Sequence, residues 1–124
     1  MLSSAVFGNI DMATLVETLF PGCIVGRGCS EANGLEADVE PKNCIIIDKF
    51  HDNHYPLNHR RDHYLVLVSG CLVSLRICQA MDGSGYGAFA YIHDVSNGAL
   101  GQETLLEKFN GWKESFTSCE PPKE

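Results

Sequence analysis

From Cys44 to Val95 the chain is a succession of strand-like runs with no helix between them. Parallel neighbours need a long crossover connection, usually a helix, so such a run of strands can only fold as an antiparallel sheet. Residues 44–50 (CIIIDKF) are rich in β-branched side chains, which pack well on a pleated surface. Residues 63–68 (HYLVLV) are apolar at both odd and even positions, as in a central strand covered on both sides. Ser69-Gly70 follows, as a tight hairpin turn or a bulge in one long strand. Val73, Leu75 and Ile77 then alternate with Ser74 and Arg76, the period of a half-buried strand. Asp82-Gly83-Ser84-Gly85 is the clearest turn, and Tyr86 to Val95 the next strand, closed by Asn97-Gly98.

Helical periodicity brackets this block. Ile10, Met12, Leu15, Val16, Leu19 and Phe20 form a stripe over residues 10–20, with Asn9 or Asp11 as cap and Pro21-Gly22 as stop. Leu105, Leu106, Phe109, Trp112 and Phe116 form another over residues 102–116. Between the first helix and the strand block, Cys23–Val25 is a short strand or a loop entry. Residues 26–43 read as an exposed acidic connection that is long for a plain loop and has room for a short edge strand. The expectation is one α+β domain over residues 1–118, with a frayed tail at 119–124. Its antiparallel sheet has about four to five strands in meander order, and one helix near each terminus packs on a single face. The other face then meets solvent, a second subunit or a ligand.

The chain is acidic, with 16 Asp and Glu against 9 Lys and Arg and a formal net charge of −7. Phosphate backbones and anionic membranes are bound by clustered Lys and Arg, so neither nucleic acid nor membrane is expected as a partner. The one basic spot, Arg60-Arg61, lies between Asp52 and Asp62 and reads as a solvated turn. No stretch approaches the ~20 apolar residues of a membrane span. Residues 1–10 carry no base and their apolar run is broken at Gly8 and Asn9, unlike a secretory signal. A cytoplasmic protein is expected, with its six cysteines reduced and mostly buried.

Two groups of side chains carry chemistry. Four of the five histidines, His51, His54, His59 and His63, fall in a polar segment with Asp48, Asp52 and Asp62. Imidazole and carboxylate are ligands for zinc and similar divalent ions, and His51-x-x-His54 with His59 or His63 would make a three-ligand set. The segment is not His-Glu-x-x-His, because residue 52 is Asp and the second His comes one residue early. A solvated polar loop over residues 51–62 is the first expectation, and no cofactor is predicted. Cys23 and Cys29 are spaced too widely for a usual structural zinc pair. The second group lies on one face of the last strand: Phe89, Tyr91 and His93, with Arg76 joining them if the register places it on the same face. An aromatic wall with few polar groups is the usual form of a small-molecule site, with His93 as anchor or base; the alternative is that the aromatics are core.

No nucleophile, carboxylate pair or phosphate-binding glycine pattern is specific enough to call catalytic, so a binding protein is expected rather than an enzyme. The first functional expectation is a module that binds a protein partner or a second copy of itself through the uncovered sheet face. A small-molecule pocket at Arg76, Phe89, Tyr91 and His93 is the alternative, and metal binding by the histidine segment a further one. In order of elements and length alone, the chain resembles small bacterial accessory and immunity-type proteins, which would imply a protein partner.

Overall fold

The apolar and β-branched runs form four long strands: β3 (Ile45–His54), β4 (His59–Val68), β5 (Cys71–Ala80) and β6 (Ala88–Ser96). The computed structural model describes residues 11–26, 28–54, 59–80, 87–96 and 99–118. The expected turns at 82–85 and 97–98 and the tail at 119–124 lie outside these residues. β3 to β6 pair antiparallel in chain order, as expected of a meander. Ser69 and Gly70 both have positive φ (51° and 78°), so they form a two-residue hairpin turn rather than a bulge.

Two further strands enlarge the sheet beyond the expected four to five. β1 (Ile24–Val25) and β2 (Glu31–Leu35) form a hairpin whose second arm pairs with β6. The order is β1-β2-β6-β5-β4-β3, six strands in one open sheet, and the meander covers only β3 to β6. The 26–43 connection is therefore partly structured, and its strand lies inside the sheet rather than at its edge. Its weak apolar pattern hid β2, which buries only Ala32 and Leu35.

The expected loop at 51–62 is largely strand. Pairing continues through His51↔Asp62, Asp52↔Arg61, Asn53↔Arg60 and His54↔His59. Arg61 donates to Asp52 directly across the ladder, and Phe50 stacks on His63 with ring centroids 4.5 Å apart. Such cross-strand pairs stabilise a sheet as apolar pairs do, but polar side chains conceal the alternation. Arg60-Arg61 is thus part of β4, not a solvated turn.

The helices lie on opposite faces, against the expectation that they share one. α1 (Met12–Leu19) buries Leu15, Val16 and Leu19 in a cluster with Tyr64, Val66, Val68, Val73, Leu75 and Ile77. α2 (Ala99–Ser118) buries Leu105 and Phe109 against Phe50, Leu65 and Leu72. Tyr64 and Leu65 are consecutive in one strand, as are Leu72 and Val73, so the two clusters occupy opposite faces. The physical reason is visible in 63–68: a strand apolar on both sides needs a cover on both sides. Asp11 caps α1, its carboxylate accepting from Thr14 N–H at 3.1 Å. Lys42 N–H donates to Leu19 O at 2.7 Å and Asn43 Nδ2 to Thr18 O at 2.8 Å, anchoring the helix's end. Small Ala32, Ala88 and Ala90 floor the α1 cluster and let the helix approach closely.

α2 starts earlier and ends later than its stripe suggests, reaching Ser118. Among the described residues no helix is long and apolar enough to cross a membrane. The five described cysteines are free thiols: Cys71 and Cys78 are buried, Cys23 and Cys44 half-buried, and Cys29 is exposed.

Candidate ligand-binding site

Register places the site on the α2 face. One cross-strand row runs Phe50↔His63↔Arg76↔Tyr91, and the next runs Asp52↔Arg61↔Cys78↔Phe89. Arg76 therefore shares a face with Phe89 and Tyr91, the condition the sequence left open. Its guanidinium lies over the Tyr91 ring, 5.4 Å from the centroid. Tyr91 meets Phe89 edge to face at 5.5 Å, and Phe89 meets His59 at 5.8 Å.

His93 reaches the same face through an irregularity. The ladder shifts between Ser74↔Asp94 and Leu75↔Ile92, so His93 is the extra residue of a bulge. Both His93 and Asp94 thereby face α2: His93 lies 5.5 Å from the Trp112 ring, and Asp94 accepts from Lys108 Nζ at 3.2 Å. Arg76, Phe89, Tyr91 and His93 are thus brought together, with Trp112 as an unforeseen neighbour.

The histidine set is divided instead. Phe50 and His63 face α2, so alternation turns His51 to the other side of the sheet. His59 and His63 share the α2 face, and the side chain of His54 lies outside the described residues. No group of three His, Cys, Asp or Glu side chains among the described residues is placed to hold a metal ion.

Beside the aromatic row sits a network that the sequence reading missed. Asp52 accepts from Arg61 Nε at 3.0 Å and from the guanidinium's terminal nitrogen, and its Oδ1 lies 2.7 Å from His63 Nε2. A carboxylate only accepts, so the His63 proton sits on Nε2. Burial raises the Asp52 carboxyl, but hydrogen bonds from Arg61 and His63 overcome this and hold it below its usual range. Burial pushes His63 down, against the pull of Asp52. Phe50 and Phe116 enclose the imidazole, and Arg61 lies 5.7 Å from the Phe116 centroid. The legible signal was period two: 48, 50, 52 and 59, 61, 63 read as two strand faces once polar pairs count as pattern.

Among the described residues, the ion pairs of this face leave one cation over. Asp48 takes Lys113 at 2.9 Å, Asp94 takes Lys108, and Asp52 takes Arg61 with His63. Arg76 has no ion-pair partner among the described residues. Glu31 stands beyond Tyr91 on the far side, two strand spacings or about 10 Å away. Among the described residues, two buried side-chain polar atoms lack a hydrogen-bond partner, Ser74 Oγ and Arg76 Nε, and both belong to the α2 face of β5. Leaving such an atom unsatisfied costs about 1–3 kcal/mol.

At the end of the aromatic row a cavity of about 640 Å³ opens, lined by Asn33, Gly34, Leu35, His59, Gly87, Ala88 and Phe89. Its size is in the range of small-molecule sites. Gly87 permits the close approach of β6 to β2 there, since a Cβ would collide with the Leu35 carbonyl oxygen.

His93 gives the site a measurable pH signature. Its imidazole is pushed down to about 4, first by burial and then by Arg76, His63 and Arg61, with Asp94 opposing. His93 is itself exposed, so solvent moderates both effects. A depressed His titrates first in the unfolded chain, so the unfolded state binds more protons below about 6.5. Stability is therefore full above that pH and falls as pH drops toward about 4. A His93→Asn protein should lose less melting temperature between pH 7 and pH 5 than the wild type; an equal loss would place the sensitivity elsewhere.

Comparison with known proteins finds no family model, no curated protein and no solved structure that matches this chain.

Proposed function

We propose that the protein is a small-molecule binding domain whose ligand lies along Phe89 and Tyr91, between Arg76 and the cavity beside His59. The observation that carries this reading is the unbroken line of ring contacts from Arg76 over Tyr91 and Phe89 to His59, ending at a cavity of about 640 Å³. Arg76, Phe89 and Tyr91 stand on the paired strands β5 and β6, so the wall sits on rigid elements, as binding constellations require. The test is a fragment screen by thermal shift and backbone amide resonances. Aromatic fragments are expected to raise the melting temperature and to shift Phe89, Tyr91 and Asn33, and Phe89→Ala should abolish both effects. Absence of any fragment that shifts these three residues would sink the reading.

A second reading, a protein-binding or self-associating module, draws on a different surface from the one first expected. α2 covers the face that was to be open, but the edge strand β3 exposes Ile45 (62%), Ile46 (39%) and Ile47 (49%). An unpaired edge with apolar side chains is a natural template for another chain. Sedimentation of the reduced protein separates the two: a dimer that Ile46→Lys dissociates favours this surface, and a monomer removes self-association.

A further inference from the structure

The unmatched guanidinium on the α2 face defines which ligand class fits the site. We infer that Arg76 receives the carboxylate of an aromatic or otherwise flat organic acid whose ring lies on Tyr91 and Phe89. The inference rests on the small-molecule reading above and adds the charge and chemical class of the ligand.

Three observations lead to it. Among the described residues, every other cation that faces α2 from β4, or from α2 toward the sheet, is held by an aspartate: Arg61 by Asp52, Lys108 by Asp94 and Lys113 by Asp48. Arg76 has a ring beside it but no acid among the described residues, and a ring leaves the fork of donors free. Its Nε is buried without a partner, so a turn of the side chain that brings Nε to an oxyanion would relieve an existing deficit rather than break a bond.

The same tally selects carboxylate over phosphate. A phosphate dianion calls for several donors or a second cation. Arg61 is already committed to Asp52, and His63 and His93 are both held toward their neutral forms, first by burial and then by the cations around them. One free planar guanidinium matches one monoanionic carboxylate, in the bidentate geometry that arginine favours. The steric frame agrees. Phe89 and Tyr91 are two residues apart on one strand, about 7 Å, which is the span of a ring plus its carboxylate. An acid group on Arg76 thus sends its ring along Tyr91 toward Phe89 and the cavity.

The experiment follows the Arg76 Nε–Hε resonance and Trp112 fluorescence of the full chain while four probes are titrated: benzoate, benzamide, acetate and inorganic phosphate. Benzoate is expected to shift Arg76 Nε–Hε and to bind at least tenfold more tightly than benzamide, its neutral near-isostere. Arg76→Met should reduce benzoate to the benzamide level, and circular dichroism and melting of that variant check that it folds. Acetate should shift the same resonance more weakly, and phosphate less than acetate. Equal binding of benzoate and benzamide at Phe89 and Tyr91, unaffected by Arg76→Met, would overturn the acid assignment while leaving the pocket standing. Acetate and benzoate acting equally on Arg76, with no shift at Phe89, would keep the anion site and remove the aromatic pocket. Phosphate binding more tightly than benzoate would overturn the carboxylate class, and no response of Arg76 Nε–Hε to any probe would overturn the inference altogether.

Discussion

Phe109→Ala should lower the stability of the domain by about 3–5 kcal/mol, the usual cost of removing a buried phenyl ring from a core. Phe109 is 1% exposed and packs edge to face on Phe50 at 5.2 Å, with Leu65, Leu72 and Leu105 completing the cluster. This smaller cluster is what holds α2 to the sheet, so a single cavity weakens most of its attachment. The loss is a large part of the ~5–15 kcal/mol that a domain has in total. Because the helices occupy opposite faces, the damage should be directional. Amide exchange should accelerate first in α2, with α1 and the Leu15, Val16 and Leu19 side of the core protected for longer. A Leu19→Ala protein should show the reverse order. Equal acceleration of both helices in Phe109→Ala would mean that the two layers do not open separately. Since α2 also carries Trp112 beside His93, any ligand affinity should fall with the helix.

Asp52→Asn should cost about 2–3 kcal/mol, somewhat below the ~3–5 kcal/mol of a fully buried pair because both partners keep some solvent contact. The side chains of Asp52 and Arg61 are 15% and 18% exposed, and that of His63 is 3% exposed. Removing the charge leaves Arg61 uncompensated, and an amide cannot accept with both its atoms from a guanidinium fork. Arg61→Met on top of Asp52→Asn should cost less than the sum of the two single changes, since the second removes a charge already stranded. Additive effects would mean the pair contributes nothing as a pair. The pH dependence carries a matching sign. The Asp52 carboxyl is held below its ordinary 3.8, so the unfolded chain takes up its proton first. The pair's contribution is present above about 4 and is lost as pH falls through the folded value; guanidinium-induced unfolding at pH 3 and pH 6 should show the wild type losing stability that Asp52→Asn never had.

Most of the fold was legible where local chemistry and tertiary demand agreed. The block from Cys44 to Val95 gave an antiparallel sheet because it holds strands with no helix between them, and the 63–68 run marked its centre. What stayed hidden was polar pattern. β3 and β4 extend to His54 and His59 through Asp52–Arg61 and Phe50–His63, pairs whose partners lie nine to thirteen residues apart and whose side chains resemble those of a loop. β2 was hidden for the opposite reason: only two of its five residues are buried, and its partner β6 lies more than fifty residues away.

The site divides along the same line. Residue types and the period of two put Phe89, Tyr91 and His93 forward and left Arg76 conditional, because a slip of one position turns a strand's side chains to the other face. The sequence by itself determined the antiparallel sheet, the two flanking helices and the acidic balance, all of which follow from composition and spacing within a few residues. Only the tertiary structure decided which face each helix takes, that β2 joins β6, that a bulge turns His93 toward Trp112, and that Arg76 stands over Tyr91 without an acid. These are matters of register and of which charges find each other, and both arise from contacts between segments distant in the chain.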